Sequence, residues 1–308
     1  MDLSRQELVI GKKAQKKLEN SKIAIVGLGA TGSLTSELLV RAGVKKLILI
    51  DRDYVESSNL QRQHMFVVSD IGESKVRVSE KYLKKINSKI KVKSYFDNLD
   101  HTNIDLISAD LVLDCTDNLQ TRFLINDYCK KNKINWIFSS AIKGHGYVFN
   151  VLPKGPCFNC VFGNLSSSDT CETVGVMNTI TSLISSLQVN EAIKLLINKE
   201  PEKDLIYVNI DKNNILKIKV NKKKHCEVCD EIYDYLSGEK DQKSIKLCGH
   251  GNYLFEKKKK IDKKKFKKIK DWGGVFRYKE MTVFPDKVLI RTKTKKEAEI
   301  IYSKYVGN

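Results

Sequence analysis

Residues 21–51 read SKIAIVGLGATGSLTSELLVRAGVKKLILID and leave the chain few ways to fold. A short apolar run, Ile23–Val26, meets the glycines of GLGATG. A helical stretch, Thr31–Ala42, follows, and a second apolar run, Lys46–Ile50, ends in Asp51. Strand, tight glycine turn, helix and strand in that order open a doubly wound sheet. In such a sheet the helix N-terminus faces phosphate and the acid faces ribose hydroxyls. Gly27, Gly29 and Gly32 permit the turn and a close approach of backbone to ligand. Many dehydrogenases carry this loop, so it does not choose among nucleotides. The segments SSNLQRQ (Ser57–Gln63) and GESKV (Gly72–Val76) do. Asn59 supplies an amide, Arg62 a planar fork of donors and Lys75 a mobile point charge, where a triphosphate needs them. Each alone is ordinary surface; behind a glycine loop they read as a clamp for ATP rather than NAD. Asp51 is the expected ribose acceptor, with Asp53 close enough to compete.

The alternation continues through a helix at Ser74–Asn87, strands at Lys91–Tyr95 and Leu111–Cys115, a helix at Asn118–Asn132 and a strand at Trp136–Ser139. This predicts an α/β fold with a Rossmann-like, mostly parallel sheet covered on both faces. After Ala141 the pattern changes. Gly146–Val151 and Leu205–Asp211 look like strands of an antiparallel extension, separated by a long apolar-striped helix from about Gly175 to Asn198. Residues 5–20 read as one helix with Leu8, Val9, Ala14 and Leu18 on one side. Asp230–Lys243 is polar and reads as a linker. Beyond it a small α+β domain is expected, with a helix over Lys264–Ile269, strands at Gly274–Arg277, Met281–Phe284 and Val288–Arg291, and a closing helix at Lys295–Tyr305. The expected domains are therefore residues 1–235, binding ATP, and residues 240–308, small and basic.

Net charge is +18, and residues 240–308 hold +13 of it, with 21 lysines and arginines against 8 acids. A field of that sign attracts acidic proteins, nucleic acid or anionic membrane; a solvated lysine-rich face has the same composition. No run approaches the length of apolar residues that a bilayer needs, and the N-terminus lacks the apolar core of a signal peptide. A cytoplasmic protein with no membrane partner is expected.

Four of the eight cysteines form two CxxC pairs, Cys157/Cys160 and Cys226/Cys229. Without a secretion signal, such pairs favour zinc over disulfides. Four thiolates make a closed, structural site with no open position for chemistry. Cys171, in SSSDTCETVGV ahead of the long helix, is either a nucleophile with a lowered pKa or an inert thiol. Asp117, in DCTDN, follows the strand Leu111–Cys115 at the sheet edge where such folds bind ligands. Its carboxylate suits Mg²⁺, or it caps the next helix; the two roles can coexist.

GLGATG, LIDRDYVESSNLQRQ, GESKV, DCTDN, the first CxxC, TCETVGVM and the final HCEVC occur in that order over about Ser4–Cys229. In this the chain resembles the ubiquitin-activating-like adenylyltransferases of the ThiF/MoeB (HesA/MoeB/ThiF) family. The resemblance implies a homodimer that uses Mg·ATP to adenylylate the C-terminal glycine of a ubiquitin-like sulfur carrier ending in Gly-Gly, releasing pyrophosphate. It implies nucleotide contacts at Gly29, Ala30, Asp51, Ser58, Asn59, Arg62, Lys75, Asp117 and Asn118, and Zn²⁺ on the four CxxC cysteines. It places Arg5 in the active site of the partner subunit, although Asp2 and Leu3 depart from the family's usual motif. Ala30 stands where a glycine is common. Cys171 matches a position where some members form a covalent bond to the carrier and others do not. Arg5, Arg62, Lys75, Asp117 and Cys171 are then the catalytic candidates. Three other readings compete: an RNA-modifying dehydratase of the same superfamily, whose members generally lack the four cysteines; an NAD-dependent oxidoreductase, disfavoured by the clamp; and a scaffold holding nucleic acid on its tail, disfavoured by the ATP constellation. Nucleic acid is not the expected partner.

Overall fold

The computed structural model describes residues 1–163, 175–240, 245–247, 252–257, 261–263 and 266–306. They fall into two compact units, one before and one after residue 240. The first is built on eight strands: β1 (Lys22–Val26), β2 (Lys46–Asp51), β3 (Lys91–Phe96), β4 (Leu111–Asp114), β5 (Asn135–Ile142), β6 (His145–Val151), β7 (Leu205–Asn209) and β8 (Asn214–Ile218). They lie in the order 3-2-1-4-5-6-7-8. Pairing is parallel from β3 to β5 and antiparallel from β5 to β8. The α/β fold and its antiparallel extension are those the sequence indicated.

Alternate residues of each central strand feed separate cores. Ile23, Ile25, Leu47, Leu49, Leu111 and Leu113 join one; Ala24, Val26, Ile48, Ile50 and Val112 join the other. Burial on both faces is why these strands read as continuous apolar runs. The helices are α1 (Ser4–Ile10), α2 (Lys12–Asn20), α3 (Ala30–Arg41), α4 (Lys75–Ile86), α5 (Leu119–Lys131), α6 (Phe158–Phe162), α7 (Asn178–Leu196) and α8 (Asp234–Ser237). β1 lies between β2 and β4, so the strand order reverses there; sheets of this kind bind ligands at the carboxyl ends beside such a point.

Several expectations are corrected. The helix expected over residues 5–20 is two, because Gly11 at φ 85° breaks it. Leu8 and Val9, expected on its packed side, are 88% and 78% exposed. The expected linker is partly ordered: the amide of Tyr235 donates to Asp127 Oδ2 at 3.0 Å, and its ring stacks on Phe123. Strand β8 went unseen, since all five of its residues are exposed and no alternation marks an edge without a covered face.

The second unit is an antiparallel sheet of β9 (Ile245–Leu247), β10 (Asn252–Glu256), β11 (Lys270–Asp271), β12 (Phe276–Tyr278), β13 (Met281–Val283) and β14 (Lys287–Arg291), in the order 11-12-13-14-10-9. A helix, α9 (Lys295–Tyr305), follows. Thr294 and Glu297 form a capping box at its start, satisfying two otherwise orphaned amides. The helix expected over Lys264–Ile269 is not formed at residues 266–269; Lys268 takes φ 59° and the chain enters β11. Phe266 packs instead against Phe276 and Tyr278. Lys264 and Lys265 lie outside the described residues.

Candidate active site

The loop after β1 is fixed by two close approaches. Gly27 adopts φ 86°, and a Cβ there would lie 2.7 Å from the Cys115 carbonyl oxygen. A Cβ on Gly32 would lie 1.9 Å from the Gly27 carbonyl oxygen. Gly29 differs: it precedes α3, and a Cβ there meets nothing closer than Gln63 Nε2 at 3.9 Å. The fold therefore demands glycine at 27 and 32 and leaves the surface over Gly29 open. Ala30 begins α3.

Asp51 ends β2 and is nearly buried. Its Oδ2 accepts from the Leu28 amide at 2.6 Å and its Oδ1 from the Asp53 amide at 2.7 Å. The acid thus ties the glycine loop to the start of the next segment. Burial raises its pKa, while the Lys75 ammonium works against that rise. Lys75 opens α4 at 6% exposure, with its Nζ 3.5 Å from Asp53 Oδ2. A lysine so buried is rare without acidic company, which Asp53 and Asp51 supply.

The 3₁₀ turn Ser57–Asn59 carries the rest of the clamp. Asn59 is buried, and its Oδ1 accepts from the Glu56 amide at 3.1 Å. Arg62 is half-buried and donates to the Ser58 carbonyl at 3.0 Å; Ser58 itself is exposed. Gln63, which sequence reasoning did not single out as a site residue, is 4% exposed, and its Oε1 has no hydrogen-bond partner among the described residues. An orphaned acceptor beside Gly29 is a place for a ligand hydroxyl or amino group.

At the end of β4 the structure settles the helix-cap question. Asn118, not Asp117, caps α5: its Oδ1 accepts from the Gln120 amide at 3.0 Å. Asp117 is exposed, with no hydrogen bond or ion pair among the described residues. A carboxylate at that position with no structural task suits a hard cation.

The two CxxC knuckles come together. Sγ separations are 3.7 Å for Cys157–Cys160 and 3.5 Å for both Cys157–Cys226 and Cys160–Cys229, and all four sulfurs lie within 4.8 Å of one another. Tetrahedral zinc at about 2.3 Å from each sulfur needs sulfurs about 3.8 Å apart, so the cluster fits the ion. A hydrogen bond from Cys157 lowers the pKa of Cys160, whereas burial, then the bond to Cys160, raises that of Cys229. The cluster joins the turn at α6 to the turn at Glu227–Asp230.

Arg5 lies on α1, exposed and without a hydrogen bond or ion pair to the site residues of its own chain. Cys171 lies outside the described residues. Sequence reasoning missed two further residues. Asp114 is fully buried and pairs with Arg122, Nε to Oδ2 at 3.2 Å. An acid closing a wholly apolar strand was the available signal for that pair, because burial demands a cation.

Comparison with known proteins places the chain among the adenylyltransferases. The chain belongs to the ThiF family, whose model matches residues 3–229, and it is an adenylyltransferase of ThiF/MoeB type. It is 35% identical over 257 residues to a sulfur carrier protein ThiS adenylyltransferase of Bacillus subtilis (strain 168), covering 80% of this chain and 76% of that one. It is 34% identical to a molybdopterin-synthase adenylyltransferase of Escherichia coli (strain K12), covering 70% and 90%. Among solved structures, that of E. coli MccB with ATP superposes with a TM-score of 0.66 at 25% identity, covering 74% of each chain. Among the described residues no helix is long and apolar enough to cross a membrane.

Proposed function

We propose that this enzyme adenylylates the C-terminal glycine of a ubiquitin-like sulfur carrier ending in Gly-Gly. A carboxylate oxygen of the carrier attacks the α-phosphorus of ATP, the bond to the β-phosphate oxygen breaks, and pyrophosphate leaves. The product is an acyl-adenylate. The attacking carboxylate is already ionised at neutral pH, so this step needs no side-chain nucleophile. The carrying observation is what gathers at the carboxyl ends of β1, β2 and β4: an open-topped glycine loop, a buried lysine and a carboxylate without a partner among the described residues.

Asp51 and the Gln63 Oε1 face ribose or adenine donors. Asn59, Ser58 and Arg62 contact the phosphates with Lys75, and Gly29, Ala30 and Asn118 line the nucleotide. Negative charge builds on the phosphate oxygens as the bond changes, and fixed cations there lower the barrier. Mg²⁺, held by Asp117, supplies further charge neutralisation when bound. Arg5 of the partner subunit reaches the same phosphates in a homodimer, whose contact would cover Leu8 and Val9. Zinc on Cys157, Cys160, Cys226 and Cys229 is structural. Where Cys171 serves the carrier, its thiolate attacks the carbonyl of the acyl-adenylate, the acyl–phosphate bond breaks and AMP leaves, forming a thioester. The cytoplasm supplies both ATP and carrier.

The relatives' names include the sulfur carrier protein ThiS and molybdopterin synthase, and cofactor biosynthesis, tRNA thiolation and protein modification all employ this chemistry. The four-cysteine cluster favours this reading over the RNA-modifying dehydratase. ATP–pyrophosphate exchange with each candidate carrier tests it. Exchange dependent on one carrier, lost when its terminal glycine is removed, is expected; no exchange with any of them contradicts it.

A further inference from the structure

We propose that Arg122 is a positioning residue, holding the Thr116–Asn118 turn so that Asp117 stands fixed at the carboxyl end of β4. The inference rests on the role given to Asp117 above. Arg122 sits in the first turns of α5 and is 9% exposed. Its Nε donates to Asp114 Oδ2 at 3.2 Å, and its Nη2 to the carbonyl of Thr116 and, at 3.5 Å, to that of Ser139. Its guanidinium carbon lies 4.9 Å from the Phe138 ring centroid, which closes the remaining face. The other carboxylate oxygen of Asp114 accepts from the Thr116 amide at 2.9 Å and its hydroxyl at 2.7 Å. Every polar group of Thr116 is thus held by one buried ion pair.

Asp117 comes next, its side chain without a hydrogen bond or ion pair among the described residues, and then Asn118, whose carbonyl accepts from the Arg122 amide at 3.2 Å. One neighbour of this carboxylate is held by the Arg122 side chain and the other by the first backbone bond of α5. The strand end behind them is pinned as well. The Asp114 carbonyl accepts from Ser139 Oγ at 2.9 Å and Gln188 Nε2 at 3.1 Å. Gln188 Oε1 in turn accepts from Thr35 on α3 at 3.0 Å, linking this turn to the helix behind the glycine loop.

Neutralising Asp114 needs only a cation. Reaching the Thr116 carbonyl as well needs the guanidinium fork, since lysine is a point charge. Arg122→Lys separates the two roles. ATP binding is measured by calorimetry with Mg²⁺ and with EDTA, alongside thermal unfolding and ATP–pyrophosphate exchange, for wild type, R122K and D117A. Expected for R122K is an unfolding midpoint near wild type and unchanged binding of metal-free ATP. It should lose most of the affinity gained from Mg²⁺ and show a kcat lower by about 100-fold, the scale of a 1 Å misplacement. The KM for the carrier should not move. D117A should show the same binding signature. If R122K does not fold, the neutral pair D114N/R122Q carries the same expectation. A folded variant at Arg122 that keeps the wild-type Mg²⁺ gain and kcat, beside a D117A that loses both, overturns the positioning role alone. A D117A that keeps both removes the reading beneath it, and the inference falls with it.

Discussion

Gly27, Gly29 and Gly32 share one loop and answer to different constraints. Alanine at 32 would press on the Gly27 carbonyl, and at 27 on that of Cys115, in a backbone conformation alanine resists. Each should lose at least about 1–3 kcal/mol of stability, measurable by denaturant unfolding. Alanine at 29 meets open space. Gly29→Ala should therefore unfold like wild type while binding ATP more weakly; unchanged affinity would mean that nothing approaches that position. Asp117→Ala should leave the fold intact, because Asn118 caps the helix. Its exchange rate should fall by about 100-fold or more, the scale for losing one electrostatic contact to a developing charge. Cys115 is held at about 12, chiefly by burial, so it stays protonated at pH 8. Peptide mapping after alkylation at that pH should find Cys115 labelled only when the protein is first unfolded.

At the scale of elements, the four-cysteine cluster ties α6 to the turn at Glu227–Asp230 across a long stretch of chain. One zinc per chain is expected by elemental analysis, and Cys160→Ser should lower the unfolding midpoint, since structural zinc contributes folding energy directly. A freshly purified, active protein without zinc contradicts this. The cluster was legible in the sequence because CxxC spacing is set by the ion's own geometry. The β1–α3–β2 unit was legible because glycines and buried runs follow from local sterics. Asp114–Arg122 was only half legible: an acid ending a wholly apolar strand signals burial, but nothing in the sequence says which cation meets it. β8 was not legible, because its exposed residues carry no period, nor was the break at Gly11, since a single glycine inside a helical pattern does not by itself mark an end.

For the molecule as a whole, the uneven charge is the feature with a consequence. We propose that residues 240–308 recruit an acidic carrier and take no part in the chemistry. Their net +13 should speed association through long-range attraction, screened over about 10 Å at 0.1 M salt. Deleting them should weaken carrier binding most at low ionic strength and spare the rate at saturating carrier. Equal affinity for both forms at low and high salt would leave the unit a solubilising appendage. The central claim is the transfer of AMP to a carrier's C-terminus, and intact-mass spectrometry of the carrier after incubation with enzyme and Mg·ATP tests it most directly. The account predicts a species heavier by one adenylyl group, absent when the carrier lacks its terminal glycine. A carrier whose mass never changes, in the presence of folded, zinc-loaded enzyme and each candidate carrier, would contradict it.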